Sequence, residues 1–429
     1  MSIDERMTVD ERRKYLCKMQ KRYQRATRQE KKRLLDEMQP VTELHRKSLT
    51  RLLGQSLARQ PRQRQRGRTY GREVVYAIAV IAESLDHVCA ERLQPQLVWL
   101  ARHLAQHGEL TTTPHLLDQL ETVSVSTVRR ILQRQPRERP RLPRSATERA
   151  NRVTRAIPTR RIPWQEQQPG HLEVDLVHHC GTTAAGDYVH TLQLIDVATG
   201  WSERVAVLGR SYRVMQDAFR RIQARLPFSV QEIHPDNGSE FLNDHLLRFW
   251  QDTFTGAQLS RSRPWQKNDN RFVEQKNDTL VRAYLGHDRL DTVAQTNWLN
   301  QLYDQMWLYY NFFPPVLRLT EKTVQFTDPG QPTIVRRHYA RAQTPLERLR
   351  ATQMLTAERE AQLLALRDAT NPRQLRQHIY ALLDQLWELP TATPGNTQNV
   401  FLTLFEPLAY LKGADISVTL SNDGTIRLR

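Results

Sequence analysis

The chain changes its hydrophobic rhythm twice. Up to residue 132 apolar residues recur at helical spacing; from about 170 to 208 they form strand-like runs; after residue 290 the helical spacing returns. In the first region, 30–38 and 42–53 read as two short helices split at Pro40. Thr42 is the expected N-cap of the second, and Leu44, Leu49, Leu52 and Leu53 form its apolar side. Val74, Val75, Ile78 and Ile81, then Leu97, Leu100 and Leu104, set further helices, and a closing pair spans 116–120 and 125–132. Ser124 or Ser126 would cap the last of these and turn Val128, Ile131 and Leu132 inward. The runs 171–179, 188–197 and 201–208 predict a meander of three antiparallel strands. A helix over 212–226, a strand ending at His234 and a turn at Asn237-Gly238 follow; an amide-rich loop then leads into a helix with Glu274 near its first turn. Further on, Trp298, Leu302, Met306, Leu308 and Tyr309 make an apolar stripe that suits core packing better than stacking on bases. Residues 332–344 read as a basic extended segment, 346–389 as two or three helices, and 416–429 as a hairpin turning at Asn422-Asp423-Gly424.

Two stretches interrupt these elements. Residues 60–72 hold almost nothing apolar and many arginines, and 135–169 are rich in proline and arginine, so neither can build a core. They divide the chain into a helical DNA-binding domain at 1–59, a basic linker at 60–72, a second helical domain at 73–134, and a Pro/Arg-rich linker at 135–169. A catalytic core at 170–313 follows, then a basic extended segment with helices at 314–389 and a small β-rich region at 390–429.

Charge sharpens this division. Lys and Arg outnumber Asp and Glu by 63 to 46, and residues 1–72 hold 21 of the former against 8 of the latter, so +13 of the net +17 lies at that end. A polyanionic partner follows, and arginine suits two-pronged phosphate contacts. Basic composition alone fits a ribosomal protein, a chromatin protein or a nuclease equally well. Cys17, Cys89 and Cys180 form no pair and no CxxC spacing, which points to a reducing compartment, the cytoplasm, and away from structural zinc. No apolar run reaches the ~20 residues a membrane span needs, and the charged first residues do not resemble a signal peptide.

A helix, a break and a second helix bearing Arg46, Lys47 and Arg51 is what a helix-turn-helix needs to read a major groove of double-stranded DNA. The 125–132 helix, with Arg129 and Arg130, offers a second such unit, and Arg64, Arg66 and Arg68 offer phosphate contacts. The competing reading is plain amphipathic helices with solvated basic faces.

The acidic residues carry the chemistry. Asp175 falls inside the first strand-like run between Val174 and Leu176, where an unpaired carboxylate is costly unless it is ionised and bound to something positive. Asp236 sits where the chain leaves a strand, and Glu274 near the start of a helix; 60 residues separate the first two and 37 the last two. Phosphoryl transfer by two Mg²⁺ ions needs hard oxygen ligands of this kind, held by separate elements.

In order and spacing, VDLVHHCG, IDVATGWSE, HPDNGSEF and RPWQKNDNRFVEQKN resemble the catalytic-core blocks of insertion-sequence transposases and retroviral integrases, the DDE superfamily. LLDEMQPVTELHRKSLTRLL resembles the helix-turn-helix at the front of the same bacterial elements. The resemblance covers about residues 30–350. It implies an α/β RNase H-like core, a mixed sheet flanked by helices, behind N-terminal all-α helix-turn-helix domains, with a small helical and β region at the C-terminus. Asp175 would lie on the first strand, Asp236 after the fourth, and Glu274 on the following helix. It also implies two Mg²⁺ or Mn²⁺ ions on Asp175, Asp236 and Glu274, hydrolysis at element ends to free a 3′-OH, and attack of that 3′-OH on target DNA. The bacterial relatives place the chain on the nucleoid as a homo-oligomer on DNA.

The sequence departs from the retroviral pattern twice. No His/His/Cys/Cys zinc module is present, so no zinc is expected, and Asp278 stands where those enzymes place a DNA-gripping lysine. Arg263, Lys267 and Lys276 are the candidates for terminal-phosphate contacts instead. His179, Glu240 and Asn237 are auxiliary candidates; His179 could equally be a satisfied structural histidine, and Asp196 more often ends a strand in an Asx-type turn than binds metal. Asp269 rivals Glu274 as third carboxylate but lies in a loop. Two other functions share these residues: an inactive regulator that recognises element ends, and an RNase H-type hydrolase of RNA–DNA hybrids.

Overall fold

The computed structural model describes residues 7–57, 70–134, 162, 166–235, 249–250, 252–254, 256–262, 270–325, 334–393, 397–405, 418–420 and 426–428. They fall into two units, one within 1–69 and one within 70–429.

The first unit holds three helices, α1 (Val9–Arg25), α2 (Arg28–Thr42) and α3 (Arg46–Leu53). Thr8 with Glu11, and Thr27 with Glu30, form capping boxes that start α1 and α2 by pairing backbone N–H groups the helix leaves open. Leu16, Leu34, Leu35, Met38, Leu49, Leu53 and Leu57 meet in its core. The expected break at Pro40 is absent. Pro40 sits in the last turn of α2, where one missing N–H is tolerated, and the helix ends only when Glu43 takes a left-handed conformation at φ 56°. Thr42 is therefore not the N-cap of the next helix; it is buried and donates its hydroxyl to Met38 O, while His45 caps α3.

The second unit opens with α4 (Arg72–Ser84), α5 (Ala90–Leu93), α6 (Leu97–Gln106), α7 (Pro114–Thr122) and α8 (Val125–Leu132), the last capped by Ser124. A five-stranded sheet follows: β1 (His171–His178), β2 (Val189–Asp196), β3 (Ser202–Leu208), β4 (Glu232–Pro235) and β5 (Gln258–Leu259), in the order β3-β2-β1-β4-β5. β1, β2 and β3 form the antiparallel meander, and β4 and β5 run parallel to β1. One face packs Leu172, Val174, Leu176, Leu192, Leu194, Val205 and Val207 on the helix α9 (Tyr212–Arg225). This mixed sheet flanked by helices fits an RNase H-like core.

The other face lies beneath α10 (Arg271–Lys276) and α11 (Val293–Phe312). The helix α11 also shields the sheet's edge. Asn300 exchanges two hydrogen bonds with the backbone of Ala206, and Asn311 two with Ser202, while Arg225 donates to Arg204 O. Five outer backbone groups of β3 are thereby satisfied, and the strand is covered rather than left as a pairing template. α12 (Pro345–Ala351), α13 (Ala357–Ala369) and α14 (Pro372–Leu386) complete the helical part, and α4 to α8 share one core with α11 and α14. The segment expected to be basic and extended forms half of a ribbon, β6 (Leu319–Gln325) with β7 (Ile334–Tyr339), and the last hairpin pairs β8 (Val418–Leu420) with β9 (Ile426–Leu428). Among the described residues no helix is long and apolar enough to cross a membrane.

Candidate active site

Successive strand residues point to opposite faces, so on β1 His171, Glu173 and Asp175 share the face turned away from α9. The neighbours continue a polar floor. Gln193 on β2 stands opposite Asp175, Arg204 on β3 stands opposite Gln193, and His234 on β4 stands beside Glu173. Glu173, Gln193, Arg204, Glu232 and His234 are all buried.

Asp175 is half-buried in mid-strand. Its Oδ1 accepts from the Leu176 backbone at 2.8 Å, and its Oδ2 accepts from Asn277 Nδ2 at 2.6 Å. Asn277 lies three residues after Glu274, one turn further along the same helical path, where six residues (Asn277–Arg282) adopt the wider π-helix form that recurs at functional sites. Glu274 itself is exposed. Two of the three proposed metal-binding carboxylates thus sit on a strand and on a helix packed over it. Asp236 follows the last residue of β4 by one position and lies outside the described residues, and among those no group of three His, Cys, Asp or Glu could hold a metal.

Glu173 was not anticipated. It is fully buried, and its Oε2 accepts from the backbone N–H of Phe272 at 2.7 Å and of Val273 at 3.0 Å. Burial pushes its carboxyl up to about 7, against the pull of those two N–H groups and of Arg271 and Arg318. The available signal was its spacing, two residues from Asp175 and so on the same face. A second missed cluster anchors β4: Glu232 accepts from Ser260 Oγ and lies 2.8 Å from His171 Nδ1, and His234 Nδ1 is 2.7 Å from the same Ser260 hydroxyl. The bond to Glu232 raises the His171 pKa above its usual value.

Several other expectations need correction. His179 is fully buried, with Nε2 2.8 Å from Thr191 Oγ1, which in turn lies 2.5 Å from Tyr303 OH; it is a core residue out of reach of a phosphate, and burial holds its pKa well below the ordinary value. Arg46 is paired with Asp36 and Arg129 with Glu91 in solvent-accessible ion pairs that a phosphate could displace, Arg130 donates to Ser126 O and Thr127 Oγ1, and Lys47, Arg51, Arg129 and Arg130 are exposed. Lys276 is half-buried, and burial, with Arg92, Arg204 and Arg318 nearby, lowers it to about 7. Asp196 does end its strand in a turn, accepting from Thr199 N, Thr199 Oγ1 and Gly170 N. Arg64, Arg66, Arg68, Asn237, Glu240, Arg263 and Lys267 lie outside the described residues.

Over 303 residues the chain is 37% identical to the protein named Uncharacterized protein y4rM of Sinorhizobium fredii, covering 70% of this chain and 86% of that one. The chain belongs to the y4rM family. No protein-family model matches it. Among solved structures it is similar to the catalytic core domain of BIV integrase, with 14% identity and a TM-score of 0.21, covering 25% of this chain and 64% of that one. It is similar also to a simian T-cell lymphotropic virus intasome in complex with PP2A regulatory subunit B56 gamma, with 14% identity and a TM-score of 0.24, covering 42% and 57%. The chain spans less than two thirds of either solved chain. The chemistry of this y4rM-family site therefore has to be read from its own residues.

Proposed function

We propose that the chain is a DNA transposase of the DDE type, a polynucleotidyl transferase that cuts at element ends and joins the freed 3′-OH to target DNA. The observation that carries this reading is the pairing of Asp175, half-buried in mid-strand, with the helix that presents Glu274, the two elements tied by the Asn277–Asp175 hydrogen bond. A half-buried carboxylate in mid-strand, beneath a helix that carries a second carboxylate, suits cation binding better than stability.

The donor set fits Mg²⁺ or Mn²⁺: Asp175 and Glu274 offer hard oxygens, with Asp236 as the third ligand. When bound, two such ions activate the attacking oxygen and stabilise the leaving one. Asn277 and the Leu176 N–H would orient the Asp175 carboxylate, and the helix would set the position of Glu274. In the first step water attacks the phosphorus and the bond to the 3′ oxygen breaks; in the second that 3′-OH attacks a target phosphodiester, forming one P–O bond as another is lost. The basic first unit would hold double-stranded DNA through Lys47 and Arg51.

Incubating the purified chain with Mg²⁺ and duplex DNA from the borders of the genomic segment that encodes it, and mapping nicks at nucleotide resolution, tests this reading. Nicks that disappear in Asp175→Asn, Asp236→Asn and Glu274→Gln are the expected result. Binding without nicking would favour a DNA-binding regulator, and cleavage confined to RNA–DNA hybrids would favour a ribonuclease. Work by a homo-oligomer is expected too. A Glu274→Gln chain mixed with one lacking residues 1–72 should recover strand transfer that neither performs alone.

A further inference from the structure

The Glu274 helix begins without a cap of its own. Asn270, the residue before it, makes no side-chain hydrogen bond to the first turn, and the short helix of six residues passes directly into the π-helical stretch. Open N–H groups at a helix start must find partners elsewhere. Here the partner comes from 99 residues away: Glu173 takes the N–H groups of Phe272 and Val273, which immediately precede Glu274.

The second tie has matching geometry. From Glu173 to Asp175 a strand advances ~6.7 Å. From Val273 to Asn277 a helix advances ~6 Å. The two acidic residues on one face of β1 therefore meet, in the same order, two points on the helix that bracket Glu274. Glu173 holds the N–H groups before it and Asp175 holds the amide after it. A helix pinned at both points keeps its phase, and the phase decides where the Glu274 carboxylate stands.

We infer that Glu173 is a positioning residue: it clamps the first turn of α10 to β1 and so fixes Glu274 relative to Asp175. This rests on the transferase reading of the site. Glu173 faces the helix backbone and touches no reacting group, so its removal should act on turnover rather than on substrate binding. A misplacement of about 1 Å at a reacting centre costs on the order of 100-fold in rate.

The test uses the full chain in three forms, wild type, Glu173→Ala and Glu173→Gln, with border duplex DNA and Mg²⁺, and follows nicking kinetics together with hydrogen exchange of the amides of 271–276. Glu173→Ala should lower kcat by about 100-fold with KM and DNA binding unchanged. The Phe272 and Val273 amides should exchange faster, while β1 to β3 keep their protection. Glu173→Gln retains an oxygen that can accept both N–H groups, so it should restore amide protection and recover kcat to within about tenfold. Glu173→Ala with kcat within about threefold of wild type and unchanged exchange would overturn the inference. So would equal loss of protection across the whole sheet, which marks a residue needed only for folding. Absence of carboxylate-dependent nicking in the wild type would instead sink the transferase reading, and the exchange measurement, which needs no activity, still decides whether Glu173 holds the helix.

Discussion

The two faces of the five-stranded sheet are built on opposite principles. Towards α9, Leu172, Val174, Leu176, Leu192, Leu194, Val205 and Val207 meet Val214, Met215, Ala218, Phe219 and Ile222 in an apolar layer. Towards α10 and α11, the same strands present Glu173, Asp175, Gln193, Thr191 and Arg204, all but Asp175 buried, at one end of a face whose other end, Val177, Val189, Ala206 and Leu208, is apolar. Burying apolar side chains stabilises in proportion to the area removed from water, whereas a buried polar group contributes little when hydrogen-bonded and costs stability when it is not. A buried polar patch of this size serves something other than stability, and it is where Asp175 meets the Glu274 helix.

The contrast breaks most easily at the carboxylates. Asp175→Asn and Glu274→Gln keep side-chain shape, so folding and DNA binding should survive while nicking falls below detection. That loss should exceed the ~100-fold that follows removal of an outer partner of a metal ligand. Gel-shift and nicking assays on the same preparations decide it, and near wild-type nicking by either variant would end that residue's assignment. The apolar face should behave the other way. Phe219 is fully buried and meets Trp250 edge-on at 5.2 Å, so Phe219→Ala should lower stability by about 3–5 kcal/mol in urea unfolding. Folded molecules of that variant should still nick.

The apolar face was also the legible one. Leu172, Val174, Leu176 and their partners on β2 and β3 alternate with the period of a strand, and Val214, Ala218 and Ile222 recur with that of a helix, so both elements emerge from pattern alone. The polar face misleads by the same logic. His171, Glu173 and Asp175 alternate with apolar residues as they would on a solvated strand, and nothing local shows that a helix 99 residues away covers Glu173. Asp175 could be singled out through its resemblance to a DDE block, but the ties from Asn277 to Asp175 and from Asn300 and Asn311 to the edge of β3 are non-local contacts of ordinary-looking amides. Pro40 failed for another reason, since a proline in a last helical turn costs too little to end the helix.

At the margin of the apolar face, where it shares the side of Leu192 and Leu194 on β2, His190 sharpens the comparison through pH. It is buried, stacked on Tyr188 and edge-on to His178, and burial, with the charges of His178 and Arg210, pushes it down to about 3. The folded chain keeps it neutral while the unfolded chain takes up a proton near 6.5, so stability is lost as pH falls from 6.5 towards 3. Between pH 7 and pH 5 this one residue should account for about 2 kcal/mol. Urea midpoints at the two pH values should therefore differ less in His190→Phe than in wild type by about that amount. Identical pH shifts in both proteins would remove His190 from the account.

The smallest effect is expected at Gln193, a polar-face group that is only partly satisfied. Gln193 is fully buried between Asp175 on one neighbouring strand and Arg204 on the other; its Nε2 donates to Leu194 O at 3.1 Å, while its Oε1 finds no partner among the described residues. An unpaired buried oxygen costs about 1–3 kcal/mol. Gln193→Met keeps length and approximate volume but removes that oxygen, so it should change stability by no more than about 1 kcal/mol and could raise it. If Gln193 instead helped hold the fold, the same variant would lose stability as other broken buried networks do, by well over about 2 kcal/mol. Urea unfolding separates the two outcomes. A neutral or stabilising result combined with weakened nicking would show that Gln193 is kept for the environment of Asp175 rather than for the sheet.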